Sequence, residues 1–293
     1  MKLRLLIHAA LCAAVLAGAP SALADDPGAS GTNAVHYYVA LGDSLAEGNQ
    51  PNEPAGGDFA HGYADQLYVA LKADDPTLQL ENLACGGETT SSMISGVLPH
   101  SRGSRYFCAP PGPRREQLAH GSQLADAVAF LRAHSQFVSL ITIDIGGNDI
   151  ALCVFLVDQA CLADALASVK RNLPVILSAL RDAAPGVPIV GMNYYDPFLA
   201  FWFSDPTAAQ TTEQMIVQFN DVLESLYGAA DAPVADVEAA FQTTDWALVG
   251  GIPLNVFRIC QWTWMCDPTY GPDFHANTAG YGVIAQAFGQ VIP

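Results

Sequence analysis

Basic residues are scarce in this 293-residue chain. Lys and Arg number 12 against 29 Asp and Glu, a formal net charge of −17. A surface of that sign repels phosphate backbones and anionic lipid headgroups. It excludes nucleic-acid binding and electrostatic recruitment to a membrane, so any lipid contact has to be apolar. After the first two dozen residues no apolar run is long enough to cross a bilayer, so no integral membrane segment is expected. Internal repeats, low-complexity blocks and interdomain linkers are also missing. The cysteines lack the Cys-x-x-Cys spacing that zinc sites favour, which leaves a zinc site as the weaker reading of them.

What is present begins with MKLRLLIHAALCAAVLAGAPSALA. Lys2 and Arg4 form a basic start, an apolar stretch follows to about Gly18, and Ala22-Leu23-Ala24 is a small-x-small cleavage site. Residues 1–24 therefore read as a secretory signal peptide cut near Ala24, and the chain as secreted. The competing reading, a membrane anchor, needs a longer apolar run. Cleavage takes Lys2 and Arg4 away and brings the charge to −19. Residues 25–34 read as a flexible polar tail, and 35–293 as one domain with room for a sizeable core.

Cys12 leaves with the signal, and six cysteines remain. An even count in an exported chain points to disulfides, for which six cysteines allow 15 pairings. Their order falls into three near pairs: Cys85–Cys108, Cys153–Cys161 and Cys260–Cys266.

Short apolar runs read as buried strands at Tyr37–Leu41, Leu78–Leu83, Val138–Ile145, Val187–Met192 and Ala232–Val237. Between them, apolar positions recur at three- and four-residue steps over Tyr63–Ala73, Gln117–His134, Leu162–Ala184, Thr212–Leu226 and Ala279–Val291. Strands alternating with helices imply a parallel sheet covered on both faces, with right-handed crossovers and ligands beyond the carboxyl ends of the strands.

Four short blocks fall at such ends. Gly42-Asp43-Ser44-Leu45 follows the first strand. Gly86-Gly87-Glu88 follows the second and Gly146-Gly147-Asn148-Asp149 the third. Asp273-Phe274-His275 precedes the last helix. Each has a plain reading as turn or cap chemistry. Together they meet a chemical need. A serine hydroxyl becomes a nucleophile when a base takes its proton, and histidine titrates in the right range to do so. The tetrahedral intermediate then requires pre-aimed donors, which the N–H groups of Ser44 and Gly87 and the Asn148 amide can supply.

The order and wording of the blocks resemble the SGNH hydrolase superfamily, also called GDSL esterases and lipases. The signal and cysteine pairs look like its secreted actinobacterial lipases and esterases. The resemblance implies a three-layer α/β/α sandwich of about five parallel strands, flavodoxin-like, without metal or cofactor. It also implies a serine carboxylic-ester hydrolase working through an acyl-Ser44 intermediate. No Gly-x-Ser-x-Gly elbow of the α/β-hydrolase type occurs, consistent with that assignment. The family usually places Asp three residues before the histidine. Here that position is Pro272, and Asp273 stands only two before. The group orienting His275 is thus expected to be Asp273, or else a main-chain carbonyl of Pro272 or Asp273 in a Ser-His dyad, with Asp267 more remote. Asp43, Glu88 and Asp149 are read as turn-holding residues.

The fourth strand leads into an aromatic loop in which Phe198, Phe201 and Trp202 are candidates for an acyl-binding wall, although core packing explains aromatics equally well. The Gln261–Met265 stretch between Cys260 and Cys266 is expected to border the same cleft. The partner implied is a small-molecule or lipid ester, with the chain acting as a monomer. A carbohydrate-ester deacetylase is the alternative within enzymes, and a catalytically silent binding protein the alternative outside them.

Overall fold

The computed structural model describes residues 35–52, 61–97 and 119–293. The signal peptide 1–24, the tail 25–34, Cys108 and the expected helix start at Gln117 lie outside the described residues.

The sheet grows from the apolar runs. β1 (His36–Gly42) is wholly buried from Tyr38 to Leu41. That near-continuous apolarity belongs to a parallel strand covered on both faces. α1 (Ser44–Glu47) follows at once, then α2 (Tyr63–Asp74), β2 (Leu78–Asn82), α3 (Thr90–Ser95), α4 (Gln123–His134) and β3 (Val138–Asp144). α5 (Gly147–Phe155), α6 (Gln159–Ala183) and β4 (Ile189–Met192) come next, then a 3₁₀ segment (Pro197–Phe203), α7 (Pro206–Ala229), β5 (Val234–Ala235) and α8 (Val237–Ala240). A short antiparallel hairpin, β6 (Leu248–Val249) and β7 (Ile252–Pro253), leads to α9 (Leu254–Trp262) and α10 (Thr278–Val291).

β1 to β5 form one parallel sheet in the order β2-β1-β3-β4-β5. This is the flavodoxin-like order, in which the chain leaves β1 towards one side and returns on the other, opening a crevice between the carboxyl ends of β1 and β3. α2 and α10 pack together, with Tyr63 stacked on Phe288 at 4.8 Å, while α4, α6 and α7 pack side by side. The architecture is the expected three-layer α/β sandwich.

Several helices start earlier than their apolar periodicity indicates, because polar caps open them. Asp158 accepts from the N–H groups of Ala160 and Cys161 and starts α6 at Gln159. Asp205 caps Thr207 and Ala208, and Pro206 takes the first helical position of α7, where its missing N–H costs nothing. α4, expected from Gln117, instead begins later, at Gln123, where the Ser122 side chain caps it and residues 119–122 form turns and bends. Cys153–Cys161 ties α5 to α6, and Cys260–Cys266 closes the loop after α9. Cys85 is also disulfide-bonded.

Candidate active site

The turn after β1 is built for a tight fit. Gly42 has φ +134°, and a Cβ there would lie 2.0 Å from a carboxyl oxygen of Asp144, so the position admits only glycine. Asp43 caps α1 by accepting from Leu45 N at 2.9 Å. Ala46 N donates to Asp144 Oδ2 at 3.3 Å, and Glu47 N to the Asp43 carbonyl at 3.1 Å. Of the amide donors that open this helix, Ser44 N–H alone has no acceptor among the described residues.

His275 reaches Ser44 from the far end of the chain. Its Nε2 lies 2.8 Å from Ser44 Oγ, and its Nδ1 lies 2.7 Å from Asp273 Oδ1. The same Asp273 oxygen accepts from the backbone N–H of His275 at 2.9 Å. This Asx-type turn explains how an aspartate only two residues away meets the ring: the side chain folds back over its own backbone. Burial alone would raise the Asp273 carboxyl, but the bonds from the His275 ring and its charge outweigh burial and hold Asp273 below its ordinary value. An ionised Asp273 selects the tautomer with Nδ1–H, leaving Nε2 free to accept the Ser44 proton. Asp267 instead caps the turn at Thr269 and Tyr270.

The loop carrying His275 is templated by the disulfide-closed segment. Trp264 N donates to the His275 carbonyl at 3.1 Å, Asp273 N to the Trp264 carbonyl at 3.4 Å, and Asn277 N to the Trp262 carbonyl at 2.9 Å. Tyr195 OH donates to the Phe274 carbonyl at 2.8 Å. The Trp262–Met265 stretch thus acts as backbone scaffold for the histidine loop.

The second and third blocks converge on the same place. Gly87 has φ +79°, and its N–H has no acceptor among the described residues. Asn148 sits in the first turn of α5 and uses one amide hydrogen on the Glu88 carbonyl at 3.0 Å, which leaves its other hydrogen to point elsewhere. Asp149 binds Thr90 through backbone N and Oγ1 at 2.8 and 2.6 Å and so locks the second block to the third. Burial raises the Asp149 carboxyl, partly offset by those two bonds. Burial likewise raises Asp43 and drives Asp144 well above the ordinary range, the latter helped by the neighbouring Asp43 charge.

A cleft opens beside Ser44 and runs between α5, the 3₁₀ segment and α7, with about 530 Å³ of empty space counting the part open to solvent. Asn148, Ile150, Phe198, Ile216, Phe219 and Phe274 are among its walls, which are mostly apolar. Of the aromatic candidates, Phe198 lines it. Phe201 stands one ring behind, 5.6 Å from Phe198 between centroids, and Trp202 is half-buried against Phe203 at 5.5 Å. Asp196 caps the 3₁₀ segment at Phe198 N, 2.8 Å away, and burial pushes its carboxyl up to about 7.

Two site residues were not singled out by sequence reasoning. Gln123 clasps Gly42 through both backbone groups, at 2.7 and 2.8 Å, and touches Glu88 at 3.1 Å. Asp144 ends β3 beneath the Ser44 turn. A lone Gln in a helix carries no sequence signal. Asp144 did carry one, a charge inside the otherwise apolar run Val138–Ile145. Among the described residues no group of three or more His, Cys, Asp and Glu side chains could hold a metal, and no helix is long and apolar enough to cross a membrane.

The GDSL-like Lipase/Acylhydrolase family model matches residues 40–283. Among solved structures, the chain is similar to an acetylxylan esterase from Geobacillus stearothermophilus, with a TM-score of 0.56 and 16% identity over 89% of this chain and 96% of that one. It is similar to a lipase from a goat rumen metagenome, with a TM-score of 0.52 and 17% identity over 87% and 97% of the two chains. An extracellular lipase from Streptomyces rimosus gives a TM-score of 0.51 and 17% identity over 87% and 99%. No curated protein sequence matches the chain.

Proposed function

The chain belongs to the GDSL-like Lipase/Acylhydrolase family of ester hydrolases, and from that premise we propose that it is a secreted serine carboxylic-ester hydrolase that cleaves acyl esters through an acyl-Ser44 intermediate. The observation that carries the reading is the Ser44–His275–Asp273 chain of hydrogen bonds at 2.8 and 2.7 Å. In the first half-reaction His275 Nε2 takes the Ser44 proton as Oγ bonds to the ester carbonyl carbon. The oxygen that becomes negative is met by Ser44 N–H, Gly87 N–H and the Asn148 amide. Removing one such donor costs roughly a hundred- to a thousand-fold in turnover. Collapse breaks the bond to the alcohol, which leaves with the proton from His275. Water then attacks the acyl carbon with the same histidine as base, and the acid and free Ser44 are released.

The apolar cavity beside Ser44 supports an acyl group with a hydrocarbon portion, walled by Phe198 and backed by Phe201. Export is supported by the signal-like residues 1–24 and by two disulfides that a reducing cytosol would not keep. A hydrolysis profile across p-nitrophenyl esters from acetyl to palmitoyl tests the reading, with Ser44→Ala as control. Ester cleavage that vanishes in Ser44→Ala is expected. Phe201→Ala with Trp202→Ala should weaken long-chain esters more than acetyl. Equal loss on both would remove the acyl-wall role.

A further inference from the structure

Beneath the Ser44 turn lie two carboxyl groups that the reaction as described does not use. Asp43 is 3% exposed and Asp144 0%. Their carboxyls sit side by side, accepting from the successive amides Leu45 N and Ala46 N, and Asp144 lies directly against Gly42, the residue before Asp43. Each has neutral donors besides: Asp43 accepts from Leu45 N at 2.9 Å and Tyr194 OH at 3.3 Å, Asp144 from Tyr63 OH at 2.9 Å and Ala46 N at 3.3 Å. Among the described residues no Lys or Arg pairs with either. The other titratable groups that face the pair electrostatically are Tyr38, Tyr63, Tyr194, Tyr195, Tyr227, Tyr281, Asp149 and His275. The tyrosines are all pushed up by burial and stay neutral. His275 is thus the one group of the set able to carry positive charge, and it faces Asp43.

Two ionised carboxylates cannot be held in contact in a dry site without a cation between them, whereas an acid and its conjugate base form a short, strong hydrogen bond. We propose that Asp43 and Asp144 share a single proton and that this singly charged pair positions Ser44. The pair takes up the N–H groups of Leu45 and Ala46, one carboxyl each, so that Ser44 N–H is the donor of the α1 terminus left facing the substrate. Asp144 touches no reacting atom and is a positioning residue. The shared proton rests on the burial and adjacency of the two carboxyls. The positioning role rests on the reading of Ser44 as nucleophile.

The two parts are tested separately. Urea denaturation of wild type and Asp144→Asn is followed from pH 5 to pH 8. The unfolded chain holds no carboxyl proton in that range, while the folded pair holds one. The folding constant of the wild type should therefore fall about ten-fold more per pH unit than that of the variant. Parallel slopes would overturn the shared proton. For positioning, Asp144→Ala should lower kcat at least ten-fold with little change in KM, and Asp144→Asn, which keeps a donor towards Asp43, should recover most of the loss. Equal losses in both variants would overturn the positioning role. If Asp144→Ala does not fold, Asp144→Asn decides alone: the reading then requires kcat within ten-fold of wild type, and a larger loss refutes it. An inactive wild type with diverging denaturation slopes would refute the ester-hydrolase reading and leave the shared proton standing.

Discussion

Asp196→Asn should change how stability depends on pH, and the size of the change follows from where Asp196 sits. The side chain is fully buried at the head of the 3₁₀ segment, with Oδ1 spent on Phe198 N. Burial raises its carboxyl from 3.8 to about 7. Below pH 3.8 the group is protonated in both folded and unfolded chains and favours neither. Between 3.8 and about 7 the folded protein keeps a proton that the unfolded chain gives up, so each pH unit upward removes stability. At 1.36 kcal/mol per pH unit the loss accumulated by neutrality is about 4 kcal/mol. Asparagine retains the capping oxygen and carries no proton to lose. The variant should therefore gain on wild type as pH rises, by about 4 kcal/mol between pH 4 and pH 8, most of it below pH 7. Urea unfolding followed by tryptophan fluorescence at four pH values measures this directly. A pH-independent difference between the two proteins would refute the reasoning. It would mean that Asp196 ionises normally despite its burial.

Other consequences are narrower. Asp273→Ala removes the acceptor that orients the His275 ring and should lower turnover by about a thousand-fold or more; near-normal turnover would leave a Ser-His dyad. Replacing Cys260 and Cys266 with Ser frees the segment whose backbone holds the His275 loop. The protein should lose about 2 kcal/mol of stability, and kcat should fall more than KM rises, whereas unchanged turnover would deny the scaffold role. Gln123→Leu deletes both clasps on Gly42 and leaves its buried N–H unpaired, while its C=O keeps the N–H of Cys85 at 2.9 Å. One such group costs about 1–3 kcal/mol, and an unfolding free energy equal to wild type would contradict that cost.

Most of the architecture was legible because it rests on apolar periodicity. β2 to β5 lie within the runs read from the sequence, and β1 extends one residue beyond its run at each end; β1 and β3 stand out because their central residues, Val39–Leu41 and Leu140–Ile143, are buried and largely apolar. The helix starts at Gln159 and Pro206 were not legible from periodicity, because Asp158 and Asp205 set them through caps. α9 and the 3₁₀ segment were missed as elements. They are short, and their aromatic content suits a loop, a strand or a helix equally. In the site, the blocks around Ser44, Gly87, Asn148 and His275 could be read because each combines glycine or a turn former with a reactive group. What the sequence could not display was how the blocks are held. Gln123 acts across 81 positions on Gly42. Asp144 acts across 98 on Ala46, and the Trp262–Met265 segment lends its backbone to the histidine loop. These contacts depend on which strands neighbour one another, and residue type alone does not encode that. The Asp273 turn is intermediate. Its sequence raised the question of a displaced aspartate, and the doubled hydrogen bond to His275 shows how two residues of separation suffice.

The central claim is that Ser44 is the nucleophile and His275 its base. Incubating the protein with a fluorophosphonate, then mapping the modified peptide by mass spectrometry, tests it most directly. The account predicts one adduct per chain on Ser44, formed rapidly in wild type, slowly in His275→Ala and not at all in Ser44→Ala. An unmodified Ser44 in folded wild-type protein, or an adduct formed on another residue at the same rate in Ser44→Ala, would contradict it.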